Sequence, residues 1–260
     1  MTSTEPRGEA DPRYAKRLSI VVPYRNRQEH LAQFLPHMVA YFQRDKLDRQ
    51  IPVTINIIEQ HGDAPFNRGK LANCGFALTR ETSDYTVVHD VDYLPMWADY
   101  SWSPKPARLI WHGLTLNEDR KNFFGAVELL DNAAFAKVNG FPNCYWGWGP
   151  EDLELSYRLR IKNLDFDRRD GTYIALPHKH AGFSGPHVYT EEGRRTNELF
   201  EKRQANMRKL LELDGVSTLS YKLVDKKPIA VGGDPSVDNV WHYTVDVGAP
   251  YDFGVTPCSV

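Results

Sequence analysis

Over the first hundred residues the apolar positions fall into short β-branched runs separated by amphipathic stretches. Leu18 to Val22 (LSIVV) has the pattern of a buried strand closed by Pro23. The segment RQEHLAQFLPHMVAYFQRD follows with helical spacing, and Pro36 within it predicts a kink or a split. Ile51 to Ile58 (IPVTINII) is a second strand, Asn67 to Thr79 (NRGKLANCGFALT) a second helix, and Tyr85 to His89 (YTVVH) a third strand. This alternation predicts an α/β fold, a mostly parallel central sheet flanked by helices. Ligands of such sheets gather at the carboxyl ends of the strands. Pro23–Arg27, Glu59–Phe66 and Asp90–Asp92 all fall there.

Past Asp92 the pattern is less regular. Phe123 to Leu130 (FFGAVELL) reads as a strand, Asn132 to Val138 as a short helix, and TYIALP as another extended run. A long polar helix is expected from Thr190 to Asp214–Gly215, because Thr-Glu-Glu is a start signal and Gly215 a stop. TLSYKLV and HYTVDV supply two late strands. With no internal repeat and no long linker, residues 17–260 are expected to form one domain behind a flexible polar tail, residues 1–16.

Composition narrows the function classes. The 32 basic and 34 acidic side chains leave a net charge of -2, which gives no support for nucleic acid or an anionic membrane as partner. No apolar run is long enough to span a bilayer, and the N-terminus lacks the apolar middle of a signal peptide. Cys74, Cys144 and Cys258 are too widely spaced for a metal knot or a disulfide framework, which favours a reducing compartment.

The stretch NCYWGWGPED, from Asn143 to Asp152, carries the strongest chemical signal. Tryptophan is a flat platform for a sugar ring, and glycine lets backbone approach a ligand closely. Glu151 and Asp152 would open a helix, where a general base can be held. A core loop with buried aromatics would produce the same string. Asp90-Val91-Asp92 follows an apolar strand, and alternation along an extended segment would put both carboxylates on one face, as a diphosphate-bound divalent cation requires. A solvated turn is the alternative. His178 and His180 would likewise share a face, and two imidazoles plus one carboxylate suit Mn²⁺ better than Ca²⁺ or Mg²⁺. A zinc hydrolase site or a pair of surface histidines fits that triplet too. Arg25 and Arg27, and Arg68 and Lys70, place cations at the ligand edge, where arginine suits a diphosphate or a uracil.

In chain order, VVPYRNR at 21–27, FNRGKLAN at 66–73, HDVDYLP at 89–95, FFGAVELL at 123–130 and VNGFPNCYWGWGPEDLELSYRL at 138–159 resemble the β-1,4-galactosyltransferase family of inverting, metal-dependent glycosyltransferases. LDGVSTLSYKLV and YTVDVG extend the resemblance to about residue 248, and His178-Lys179-His180 with VGGDPS is most similar to the xylosylprotein branch.

The resemblance implies a GT-A-like (Rossmann-like) fold, UDP-galactose as donor and Mn²⁺ as cofactor. It implies Asp92, His178 and His180 as metal ligands. Pro23, Tyr24, Arg25, Arg27, Phe66, Arg68, Asp90, Phe123 and Trp148 would meet the donor. Trp146, Trp148, Gly149, Glu151 and Asp152 would meet the acceptor, with Asp152 the general base, and the Gly-Ser-Pro loop after His180 would be a lid. Two departures stand out. Leu153 follows the acid pair where the family commonly continues with acids, and Phe123 stands where animal members have Tyr, which favours galactose over N-acetylgalactosamine. The expected acceptor is a terminal xylose or N-acetylglucosamine. Transfer of N-acetylgalactosamine or glucose into a surface polysaccharide, or sugar binding without turnover, are the alternatives. A bacterial cytoplasmic protein is expected, with the Golgi lumen the alternative if an anchor precedes the sequence.

Overall fold

The structure is a computed structural model that describes residues 11–44, 51–110, 124–178, 183–185, 188–231 and 239–250. Three strands form its centre: β1 (Leu18–Tyr24), β2 (Val53–Gln60) and β3 (Tyr85–His89). β1 lies between the other two, parallel to both. Apart from half-buried Val53, their Leu, Ile and Val side chains are almost completely inaccessible, as expected of parallel strands covered on both faces. The helices between them are α1 (Gln28–Gln43) and α2 (Arg68–Thr79).

The later elements extend this sheet on both sides. β4 (Tyr93–Ala98) leaves it to pair with β8 (Gly171–Ala175) in a small antiparallel sheet. β5 (Ala107–Arg108), β6 (Val127–Asp131) and β7 (Asp167–Arg168) continue it past β3, with β6 antiparallel. α3 (Asn132–Lys137) and α4 (Glu151–Ile161) follow β6 in sequence. β9 (Phe183–Gly185) and β10 (Val188–Tyr189) pair with each other. After α5 (Glu191–Gln204) and α6 (Met207–Leu213), β11 (Lys222–Pro228) and β12 (Val240–Asp246) close the other edge. The sheet order is β11-β12-β2-β1-β3-β6-β5-β7, a parallel central block with antiparallel margins.

Several expectations need correcting. Pro23 does not close β1, which runs on through Tyr24 paired with β2. Pairing with β3 already ends at Val21, so the missing Pro23 N–H interrupts no ladder on that side. Pro36 does not split α1. It lies on the solvent face, while Phe34, Leu35, Met38, Val39 and Phe42 bury the opposite one, and water can satisfy the carbonyl that proline leaves without a donor. The expected long helix is two, broken at Ala205–Asn206. In a straight helix Arg203 and Asp214 would lie roughly 16 Å apart along the axis. The break brings Asp214 within 2.8 Å of the Arg203 guanidinium. Ahead of β1, Tyr14 packs on the main core and the Trp102 N–H donates to the Arg13 carbonyl.

Candidate active site

The carboxyl ends of β1, β2 and β3 open on one edge, and the site is built there. Asn67 begins α2 by accepting from the Lys70 N–H, while its own amide donates to the Asn143 carbonyl at 2.8 Å. Asn73, one and a half turns on, pairs with the Phe141 backbone in both directions. These amides fasten the Asn143–Asp152 stretch to α2. The Gly147 N–H donates to the Phe66 carbonyl at 2.7 Å, and the Trp148 N–H donates to the Glu192 carboxylate of α5. Gly147 has φ +82°, a conformation that suits glycine, and an added Cβ would stand 2.0 Å from the Glu192 carboxylate.

The two indoles go to different places. Trp146 is partly buried against the Val21, Ile58 and Leu71 cluster, with the Lys70 ammonium over its ring. Trp148 stands at the site with its ring 5.9 Å from that of Tyr189. Gly149 packs on the Tyr145 ring. Tyr24 is buried, which raises its hydroxyl pKa. Arg25 lies over the Phe66 ring and donates to the Ala64 carbonyl.

At the other side of the edge, Asp90-Val91-Asp92 is a turn, with the Tyr93 N–H returning to the Asp90 carbonyl. The extended alternation expected for the two carboxylates therefore does not occur, and each takes its own partners. Asp92 bonds the His178 Nδ1 at 2.7 Å, with Arg27 3.8 Å away. Burial works to raise the Asp92 pKa, but the hydrogen bond and charge of His178 outweigh it and hold the carboxyl below its ordinary value. The same bond raises His178. One carboxylate oxygen and one imidazole nitrogen meeting at a buried point is a borderline donor pair that fits Mn²⁺. His180 and Phe123 lie outside the described residues, as does most of the expected lid loop. Among the described residues no group of three or more His, Cys, Asp or Glu side chains forms a closed metal site.

Arg68 is the hub between the two sides. Its Nε donates to Asp90 at 2.7 Å, Nη2 donates to Glu128 at 3.1 Å, and Nη1 lies 3.5 Å from Glu151. Burial alone would lower the Arg68 pKa, yet Asp90, Glu128, Glu151 and Asp152 together hold it well above its usual value. Four carboxyl groups thus share Arg68 and the buried Arg108, which lies within electrostatic reach of Glu128 and Asp152. Two cations cannot neutralise four carboxylates in a buried place, so protons stay on. Burial pushes Glu128 and Glu151 up to about 8 and Asp152 up to about 6, with Arg68 opposing each shift. Burial thus raises the proton affinity of both Glu151 and Asp152, and the pair exchanges a proton closer to neutral pH than an exposed carboxyl does, as suits a general base.

Comparison with known proteins places the chain in a family. The model for the N-terminal region of glycosyl transferase group 7 matches residues 3–102, and the model for the N-terminal domain of galactosyltransferase matches residues 112–181. Together they span well over half of the chain. The chain belongs to glycosyl transferase group 7. Mouse β-1,4-galactosyltransferase 4 is 34% identical over 232 residues, 84% of this group 7 chain and 63% of the relative. Mouse β-1,4-galactosyltransferase 1 is 31% identical over 243 residues, covering 90% of this chain and 55% of the relative. The chain thus spans less than two thirds of these relatives' length. Two Drosophila β-1,4-galactosyltransferase 7 structures share the GT-A-like fold. One is a complex with xylobiose, at TM-score 0.66. The other is a mutant with manganese, UDP-Gal and xylobiose, at TM-score 0.69. Both are 24% identical and cover 90% of this chain and 95% of the solved one.

Three residues in and around the candidate site were not singled out from the sequence for the contacts they make. Glu192 holds the Trp148 backbone across more than forty residues of chain. Glu154, one turn past Glu151, does not face an acceptor: it is completely buried and salt-bridged to Arg158 and Arg203. Glu128 is also completely buried. Its signal was present, a charged residue inside the otherwise apolar run FFGAVELL, which period and propensity alone do not interpret.

Proposed function

We propose that this protein transfers galactose from UDP-galactose to a terminal sugar hydroxyl in β-1,4 linkage, with inversion and with Mn²⁺. The observation that carries the reading is Asp152, half-buried in the first turn of α4 just after Trp148 in the chain, with its proton affinity raised to about 6. Family membership supports it, as does a manganese, UDP-Gal and xylobiose complex of a protein sharing the fold.

Each residue has a defined task in this account. Asp152 takes the proton of the acceptor hydroxyl as that oxygen attacks galactose C1. The C1–O bond to UDP breaks on the opposite face, and UDP leaves with the bonding electrons. The α-linked donor becomes a β-linked product with no covalent enzyme intermediate. Asp92, His178 and His180 would hold Mn²⁺, which when bound would supply Lewis-acid neutralisation of the diphosphate. Asp90, Arg68, Pro23, Tyr24, Arg25, Arg27, Phe66 and Phe123 form the donor side. Trp148 separates the two sugars, and Trp146, Gly149 and Glu151 complete the acceptor side. Residues 17–260 act as one catalytic unit. The acceptor is xylose ahead of N-acetylglucosamine, because of His178 and His180. Buried Cys74 and Cys144, neither in a disulfide, suit a reducing bacterial cytoplasm.

A donor-by-acceptor screen tests the reading. UDP-galactose, UDP-N-acetylgalactosamine and UDP-glucose are each offered with β-xylosides and N-acetylglucosaminides, with Mn²⁺ or with EDTA. Galactose transfer that EDTA abolishes is expected. Preferred transfer of another sugar would replace the donor assignment, and donor binding with no product on any acceptor would favour a sugar-binding protein.

A further inference from the structure

Glu128 is a charged group that the transfer chemistry does not use directly. It sits in β6 opposite Val88 of β3 on one side and Arg108 of β5 on the other. An acid placed there must have a partner, because an unpaired buried carboxyl costs several kcal/mol. The partner is Arg68 Nη2, which reaches both carboxyl oxygens, at 3.2 and 3.1 Å. Arg68 is itself only 14% exposed, and its two other nitrogens point to different regions of the site. Nε bonds Asp90 at 2.7 Å on the donor side, and Nη1 faces Glu151 at 3.5 Å on the acceptor side. A guanidinium is a rigid planar fork, so fixing one arm fixes the direction of the other two. Glu128 grips one arm from β6, an interior strand of the sheet. The Asp90 backbone continues the β3–β6 ladder by donating to the Ala126 carbonyl at 3.0 Å, whereas Glu151 lies at a helix terminus, so the Arg68 fork ties the helix to the sheet.

We propose that Glu128 is a positioning residue for transfer: by anchoring Arg68 to the sheet, it sets the separation between donor-side Asp90 and acceptor-side Glu151 and Asp152. The inference rests on the functional reading above. It assigns to β6 a part in aligning the two substrates, although β6 touches neither. The grip depends on reach and on an acceptor oxygen more than on charge. Burial favours the protonated carboxyl, and a protonated carboxyl still accepts from Arg68 through its carbonyl oxygen. Glutamine should therefore replace it, and a shorter acid should not.

The test compares wild type, Glu128→Gln and Glu128→Asp in Mn²⁺-dependent transfer from UDP-galactose, with kcat and donor KM measured separately. The Arg68 Nε–H signal is followed alongside by proton–nitrogen NMR without turnover. Glu128→Gln should keep kcat and donor KM within about twofold of wild type, since the oxygen and chain length are preserved. Glu128→Asp should lower kcat about 10- to 100-fold and move the Arg68 signal, because a shift of about 1 Å in a catalytic group costs that much. A Glu128 that only stabilised the fold would lower the melting temperature of both variants and leave kcat and the signal unchanged. That result overturns the proposal. So does a Gln variant as impaired as the Asp variant, which would make charge the determinant. If Glu128→Gln fails to fold, Glu128→Asp decides alone; if Glu128→Asp fails, Glu128→Ala takes its place, with the same loss of kcat and shift of the Arg68 signal expected and unchanged values of both overturning the proposal. Wild type that transfers nothing refutes the proposed activity, and in that case the NMR signal alone decides on Glu128.

Discussion

Replacing Glu154 with glutamine removes one charge from the most heavily bonded buried ion cluster described. The Glu154 carboxylate accepts from the Tyr145 hydroxyl at 2.9 Å, from Arg158 at 2.9 and 3.2 Å, and from Arg203 at 2.8 Å through two nitrogens. All three charged side chains are 0% exposed. After Glu154→Gln, Asp214 is the remaining carboxylate bonded to Arg203, and the glutamine amide points donor hydrogens at a donor-only guanidinium. Breaking a buried pair from one side costs about 3–5 kcal/mol. For a chain of this size that lowers Tm by roughly 6–20 °C. Burial works to raise the Glu154 pKa, but its bonds and charge contacts with Arg203 and Arg158 outweigh it, so the folded value lies below the ordinary one. The stabilisation is therefore complete above the unfolded glutamate pKa, about 4.3, and is lost as pH falls through the folded value. Guanidinium unfolding of both proteins, near neutrality and in acid, checks this. A difference below about 1 kcal/mol near neutrality, or one that grows in acid, would refute the reasoning.

Other consequences follow from the same structure. His89 is fully buried, with Nδ1 donating to the Asp90 carbonyl at 2.8 Å and Nε2 2.9 Å from the Tyr100 hydroxyl, and burial lowers its pKa to about 4. The unfolded chain takes up a proton at about 6.5 that the folded chain refuses, so stability should fall from there toward pH 4, by about 3 kcal/mol in total. Unfolding free energy that stays flat across that window would contradict it. Gly147→Ala should cost about 1–3 kcal/mol and weaken acceptor use by turning Trp148, because φ is +82° and the methyl meets Glu192; wild-type acceptor KM and Tm would count against it. Gly75→Ala should destabilise by a similar amount without changing KM, since its methyl would lie 2.3 Å from Val21 against β1; a Tm equal to wild type would show that the helix can shift.

The first half of the fold was readable because each of its strands is a short, mainly apolar run and the segments between them have helical spacing. Tyr85–His89 falls where the pattern put it, and α2 begins at Arg68, one residue later than read, because Asn67 caps the helix. The Asp90–Asp92 turn stood only as the alternative to extended backbone, since a two-residue period says nothing about where extended backbone stops. The break at Ala205–Asn206 depends on a buried partnership of Arg203 with Glu154, forty-nine positions away in sequence. Glu128 and Arg68 are sixty positions apart. Local pattern locates a charged residue in a strand or helix, but only the folded chain shows what it is paired with. The sequence did locate the acid pair at the start of α4, because a helix terminus has a local signature.

The central claim is that Asp152 is the base in an inverting, Mn²⁺-dependent galactosyl transfer. The most direct measurement pairs wild type with Asp152→Asn, following UDP-galactose binding by calorimetry and the product's anomeric configuration by proton NMR. The account predicts a β-linked product from wild type, lost on adding EDTA. It predicts donor affinity within about threefold in the variant, with kcat reduced about 10²- to 10⁴-fold. An α-linked product, transfer that survives EDTA, or an Asn variant turning over at the wild-type rate would contradict it.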